Sequence, residues 1–281
     1  MTLIGRYLLV VVLLGVPLSG FAEIVRPGVT DRVSAEVLFA DLATADVVFV
    51  GESHEKPEHR RLAVAIIRGV QRHSAQLTIG LEMFEHGAQG ALDAWLAGEL
   101  DEEGFREVYA ENWSYPWEHY SELLLFARAH NIPLLAINSD RNVIRKVGRE
   151  GFAALDFDDL LRVPAAISAT LNPTYDALME EFFRPSFEAV TRERNFSYFK
   201  QAQGVRNSGM ALTIARYLKQ HPQRTLISLA GIWHSINSSV PVQLQEGGLT
   251  TRVVLPAADG FAANDPRTAT EADYLIDDGG L

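Results

Sequence analysis

The chain has 281 residues, 47% of them hydrophobic and none of them cysteine, and 36 acidic against 25 basic side chains leave a net charge of −11. That length and apolar fraction suffice to bury one large core, and the lack of thiols excludes disulfides, thiolate metal sites and cysteine nucleophiles. The acidity argues against nucleic acid or anionic lipid as a partner, and no internal repeat points to a solenoid.

The N-terminus opens with Arg6, an apolar run over 7–18 and the small residues of Gly20-Phe21-Ala22. This is the pattern of a signal peptide over 1–22, too short to span a membrane comfortably, followed by a single domain over 23–281. With no cysteine to lipidate, the expected product is exported and periplasmic or peripheral to the envelope, and it is not a Cys-anchored lipoprotein.

Ser34 can cap a helix over 35–43. The apolar run DVVFV at 46–50 reads as a strand buried on both faces. A helix over 57–73 follows, with Pro57 in its first turn and Leu62, Ile66, Ile67 and Val70 on one stripe. LTIGLEM at 77–83 is a second strand. Helices are expected over 88–98, 101–110 and 117–130, a third strand at 133–137 and a helix over 142–150 that ends at Gly151. The stretch 156–221 carries no strand pattern and reads as helices broken near Pro164, Pro173, Pro185 and Gly204. RTLISLA at 224–230 is a fourth strand, and 240–244, 250–255 and 274–276 are expected as late strands.

Strands alternating with helices predict an α/β fold: a central, mainly parallel sheet flanked by helices, with a helical insertion or cap at about 156–221 before the late strands. In such a sheet the C-terminal strand ends share one edge, where ligands bind. The first strand there delivers Glu52 and His54, two apart and so on one side of extended backbone. The second delivers Glu82, the third Asn138 and Asp140, and the fourth His234 just past Gly231. Glu55 and His59, four apart, share a face once the following helix has begun. Two histidines and two carboxylates can ligate a divalent metal through His54, His234, Glu52 and Glu82, serve as a general base with an orienting partner, or hold the carboxylates of a cofactor. A satisfied buried polar network without a ligand is the fourth alternative. Trp113, Tyr115, Trp117 and Tyr120 form an aromatic cluster that packs a core or lid, or faces a ligand. No G-x-S-x-G elbow is present, so a covalent serine mechanism of that kind has no support.

The segments VFVGESHEKPEH, GLEMFEHGAQGALDAWLAGELDEEGF, ENWSYPWEHY, IPLLAINSDRNVIRKVGREGFAAL and LAGIWH, in this order over roughly 36–255, resemble the ChaN family. These are haem-binding, iron-regulated proteins of the bacterial envelope, in a superfamily with the erythromycin esterases and Tiki/TraB-type proteins. The resemblance implies a periplasmic haem-binding protein acting in haem or iron uptake. It also implies iron ligated by a tyrosine, haems stacked face to face in a homodimer, and outer-membrane haem-uptake components as partners. Glu52, His54, Glu82 and His234 match the superfamily's polar positions, where the related branches imply a metal-dependent or His-base hydrolase instead. His59, Tyr175 and Tyr198 join the cofactor-binding candidates, the two tyrosines because they lie in the helical insertion. The chain departs from the family's pattern in lacking a lipid-anchoring Cys, and in carrying Arg206-Asn207 where a Trp-Asp pair is usual.

Overall fold

A computed structural model describes residues 23–29, 32–74, 76–190, 195–277 and Leu281. The expected signal peptide at 1–22 lies outside the described residues. Seven strands form one sheet: β1 (Ile24–Val25), β2 (Val47–Glu52), β3 (Leu77–Glu85), β4 (Leu134–Asn138), β5 (Thr225–Gly231), β6 (Thr251–Pro256) and β7 (Tyr274–Ile276), in the order β1-β7-β6-β2-β5-β3-β4. Among these described strands only the β1·β7 pair is antiparallel. The late strand β5 enters the middle of the sheet, between β2 and β3, and pairs Glu52 with Gly231 in register.

Each central strand is buried along its length, so its side chains divide between two cores. Val48 and Val50 face helices α1 (Ala35–Leu42), α2 (Pro57–Gln71), α3 (Gln89–Ala97), α4 (Glu102–Asn112) and α5 (Trp117–Ala129). Val47 and Phe49 face the opposite layer. A parallel sheet needs both faces covered, and the helical block supplies much of the second cover. After α6 (Arg141–Glu150) come α7 (Phe157–Leu161), α8 (Pro173–Phe182), α9 (Arg184–Val190) and the long α10 (Phe196–Gln220), and Tyr175, Met179, Met210 and Ile214 pack onto the sheet from α8 and α10. The helical segment thus precedes the late strands, as expected, and also closes a face of the sheet. Two short helices, α11 (Ile232–Ser235) and α12 (Val240–Glu246), and α13 (Pro266–Glu271) complete the chain.

One expected strand is a helix. Residues 240–244 form most of α12, with Pro241 in its first turn and Val240, Pro241 and Leu244 on its buried side. The apolar alternation of VPVQL fits a strand, but the i, i+4 pair Val240/Leu244 buries one helical face and Pro241 fits the start of a helix. The two-residue strand β1 was not anticipated.

Candidate functional site

Glu52 ends β2 with its carboxylate buried, and three donors converge on it. His54 Nδ1 lies 2.9 Å from Oε1, the Tyr120 hydroxyl donates to the same oxygen at 2.7 Å, and Arg60 Nη1 reaches Oε2 at 3.3 Å. Arg60 is itself buried and also donates to the Ser53 carbonyl at 2.8 Å. A buried charge is stable only when paired and hydrogen-bonded; Glu52 meets that condition, and Arg60 meets it through Nη1 while its Nε has no acceptor. Tyr120 is a neutral donor, its pKa pushed up by burial and by Glu52. His54 is fixed by Glu52 and by the edge of Trp113, 4.8 Å between ring centres. Among the described residues its Nε2 makes no hydrogen bond. Burial works against the His54 cation, but the Glu52 hydrogen bond and the charges of Glu82 and Glu52 outweigh it, so its pKa is raised above the ordinary imidazole value.

The second pair lies beneath. Glu82 of β3 accepts the Gly231 amide at 2.6 Å and lies 3.4 Å from His234 Nε2 on α11. The Asn207 amide of α10 lies 2.6 Å from His234 Nδ1. Burial opposes the Glu82 anion, yet His234, His54, Arg206 and the Gly231 N–H outweigh it and hold Glu82 below the usual carboxylate range. Burial, with Arg206 and His54 adding to it, brings His234 down to about 4 against the pull of Glu82. The Asn207 side-chain oxygen faces Nδ1, and an amide oxygen only accepts, so the neutral ring donates there through Nδ1–H. An aspartate at this position would accept the same bond and add a charge beside the ring.

These groups sit under a cleft of about 400 Å³ lined by Glu52, His54, Glu55, Lys56, Tyr115, Tyr175, Met179, Phe183, Gln203, Arg206, Gly231, Trp233 and His234. Ser53 and Asp259 close one rim, with the Ser53 hydroxyl on the Asp259 carboxylate and Asp259 in the left-handed region at φ 53°. A side chain on Gly231 would come within 3.3 Å of the His54 ring, so glycine keeps this wall clear.

The structure therefore brings Glu52, His54, Glu82 and His234 together at the expected edge. Three other candidates lie elsewhere. His59 is buried in the first turn of α2 and turns its Nδ1 back to accept the Ser53 amide at 2.9 Å, so it shapes the loop beneath the cleft and does not line it. Tyr198 packs its ring over Gly151, where a Cβ would come within 2.8 Å of it, and does not line the cleft either. Asp140 caps α6 through the amides of Asn142 and Val143. Tyr175 does line the cleft, but its residue is almost wholly buried and burial raises its phenol to about 12, which keeps it neutral near pH 7. Asn138 spends its amide on the Glu82 carbonyl at 2.9 Å. Among the described residues no group of three His, Asp or Glu side chains could hold a metal ion. The divalent-metal alternative therefore lacks support.

Arg60 escaped the reading of the sequence, which noted Tyr120 only within an aromatic cluster and Arg206 only as a departure from the family's pattern. Arg60 left a signal: it falls on the same stripe of α2 as the buried Ala63, Val64 and Ile67, and a cation on an apolar face requires a buried acid.

A parallel α/β sheet with paired carboxylates and imidazoles at its strand ends defines a class of ligand-binding scaffold. Residues 38–244 match the sequence model of the family described as haem-binding uptake, Tiki superfamily, ChaN, and the chain belongs to that family. Among solved structures it is similar to the one described as cofacial heme binding to ChaN of Campylobacter jejuni, at a TM-score of 0.69 and 16% identity over 91% of this chain and 96% of that one. It is also similar to the type III effector HopBA1, at a TM-score of 0.51 and 15% identity over 93% and 98% of the two chains. Both likenesses concern the fold. Protein RETICULATA-RELATED 5, chloroplastic, of Arabidopsis thaliana is 27% identical over 121 residues, a stretch that is 41% of this chain and 16% of that protein's length.

Proposed function

We propose that this protein binds haem in the periplasm and acts in haem or iron uptake, with His54 as the protein's ligand to iron. The observation that carries this is the Glu52–His54 pair. Histidines that ligate a metal through one nitrogen donate the other N–H to a carboxylate, which fixes the ring and raises its basicity; His54 has that support from Glu52 at Nδ1 and leaves Nε2 unbonded in the cleft. The rest of the lining suits a flat apolar ring with anionic arms. Tyr115, Met179, Phe183 and Trp233 supply apolar and aromatic surface, while Lys56 and Arg206 supply cations. When bound, haem would supply a ferric Lewis acid and a wide planar surface. The chain's own part is to orient His54, to exclude water with the aromatic wall and to keep Glu52 and Glu82 engaged in hydrogen bonds below. Neutral, buried Tyr175 stays a wall residue in this reading. Association as a homodimer around stacked haems, and exchange with outer-membrane uptake components, belong to the same proposal and rest on the family alone.

The test is titration of the purified chain with hemin, followed by the Soret band and by sedimentation. Wild type is expected to show saturable binding and His54→Ala an altered Soret maximum with weaker affinity. No saturable binding by wild type would refute the proposal. The same pair favours one second reading, hydrolysis by water that His54 activates as a general base oriented by Glu52; ester turnover lost in His54→Ala, with no Soret change in wild type, selects it.

A further inference from the structure

Arg206 makes no hydrogen bond to either buried pair, though its charge favours the Glu82 anion, and it lines three adjoining cavities. The first is the cleft over His54. The second, about 400 Å³, runs past Asn138, Arg141 and Arg145. The third, about 430 Å³, lies between α6 and α10 and joins the other two: it shares Gln203 and Arg206 with the cleft, and Ile144, Arg145 and Arg206 with the second.

The third cavity has an unusual lining for a chain of net charge −11. Arg145, Arg149 and Arg206 face it, and among the described residues no acidic one does. Arg141, one turn earlier on α6, is neutralised by Glu85. Among the described residues Arg145, Arg149 and Arg206 form no ion pair. Arg145 and Arg149 are four apart on one helix, a spacing at which like charges destabilise. The Arg206 Nε is buried without an acceptor. A buried guanidinium N–H left unpaired is costly and calls for an explanation, and three guanidiniums around one groove, without an ion-pair partner among the described residues, supply it if an anion belongs there. Phe187 and Phe199 form the apolar wall, their ring centres 5.4 Å apart.

We infer that this groove is a carboxylate-binding subsite: Arg145, Arg149 and Arg206 receive the carboxylate arms of a flat, largely apolar ligand that extends from the cleft over Gln203. Guanidinium binds carboxylate through two parallel hydrogen bonds, which a lysine cannot match. Resting on the haem reading above, the arms are the two propionates; a free oxyanion carries the same chemistry, and the test separates the two.

The full chain and its R145Q/R149Q variant are titrated with hemin and with hemin dimethyl ester, reading Soret absorbance. Both arginines are exposed, and far-UV circular dichroism confirms that the variant folds. Wild type is expected to prefer hemin over the ester by at least about tenfold, the effect of one charge-assisted carboxylate contact, and R145Q/R149Q to bind the two alike. Equal binding of acid and ester by wild type, or a variant that keeps the preference, overturns the subsite while leaving haem binding intact. If wild type binds neither, the haem reading fails by itself and citrate decides the groove. A thermal shift by citrate in wild type but not in R145Q/R149Q upholds an anion site, and none in wild type overturns it.

Discussion

His234 is held neutral by its surroundings, and Asn207 is the residue through which that can be changed. The ring is buried, with Glu82 3.4 Å from Nε2 and the Asn207 amide 2.6 Å from Nδ1. Burial sets its pKa at about 4, and Asn207 brings no charge to oppose it. Asn207→Asp places an anion at the second ring nitrogen. A carboxylate in contact raises an imidazole by roughly one to three units, enough to carry His234 from about 4 into a range of about 5 to 7. Imidazole ¹⁵N and Cε1–H shifts followed by NMR across the acid range read the change directly. The wild-type ring also makes folding pH-dependent. Its folded pKa lies below the unfolded value, so between those two values the unfolded chain binds more protons, and stability is lost as pH falls from about 6.5 toward 4, by up to roughly 3 kcal/mol. In Asn207→Asp that window narrows, and the drop in stability between neutral pH and pH 5 should shrink with it. A wild-type His234 that titrates at the ordinary imidazole value, or a variant whose pKa does not move, would refute the reasoning.

Two further substitutions test the supports of the site. Glu52→Gln leaves Arg60 buried without its counter-charge, and breaking a buried pair from one side costs about 3–5 kcal/mol, read as a lower urea midpoint with an unchanged m-value. Gly204→Ala would put a Cβ 2.3 Å from the Ala169 carbonyl oxygen, a backbone atom; the expected cost is about 1–3 kcal/mol or more, measured in the same way, and a variant as stable as wild type would show that the contact between α10 and the 164–172 segment is not tight.

The sheet was legible because a strand buried on both faces needs nothing but apolar residues. VVFV, LTIGL and TLISLA therefore announce β2, β3 and β5 at close to their true bounds. The order of the strands was not legible: no local pattern says that β5, late in the chain, inserts between β2 and β3. The site was half-legible for the same reason. Glu52, His54, Glu82 and His234 follow strands whose ends share an edge, so their convergence follows from parallel topology alone. Arg60 and Tyr120 reach Glu52 from helices, and whether a helical residue reaches a strand end depends on the rotation of the helix, which spacing does not set. Tyr198 shows the same limit: it belongs to the long helix of the insertion, yet its ring packs over Gly151.

Two imidazoles beside two carboxylates would titrate alike in water; here the structure drives them apart, and the direction assigns their parts. His54 keeps a quarter of its side chain exposed, sits in hydrogen bond with Glu52 and feels Glu82 as well, so its cation is favoured. His234 is sealed, has Arg206 and His54 near it, and is backed by an amide, so its cation is disfavoured. Where environments separate the pKa values of like groups, their roles separate too. The ring that faces the cleft with a free nitrogen is His54, and a ligand there meets a basic, carboxylate-backed imidazole. His234 works from below: it lies 3.4 Å from Glu82, and Glu82 in turn holds the Gly231 amide. That fixes the glycine whose missing side chain leaves the His54 ring clear, so the neutral histidine acts on the cleft through the backbone that walls it.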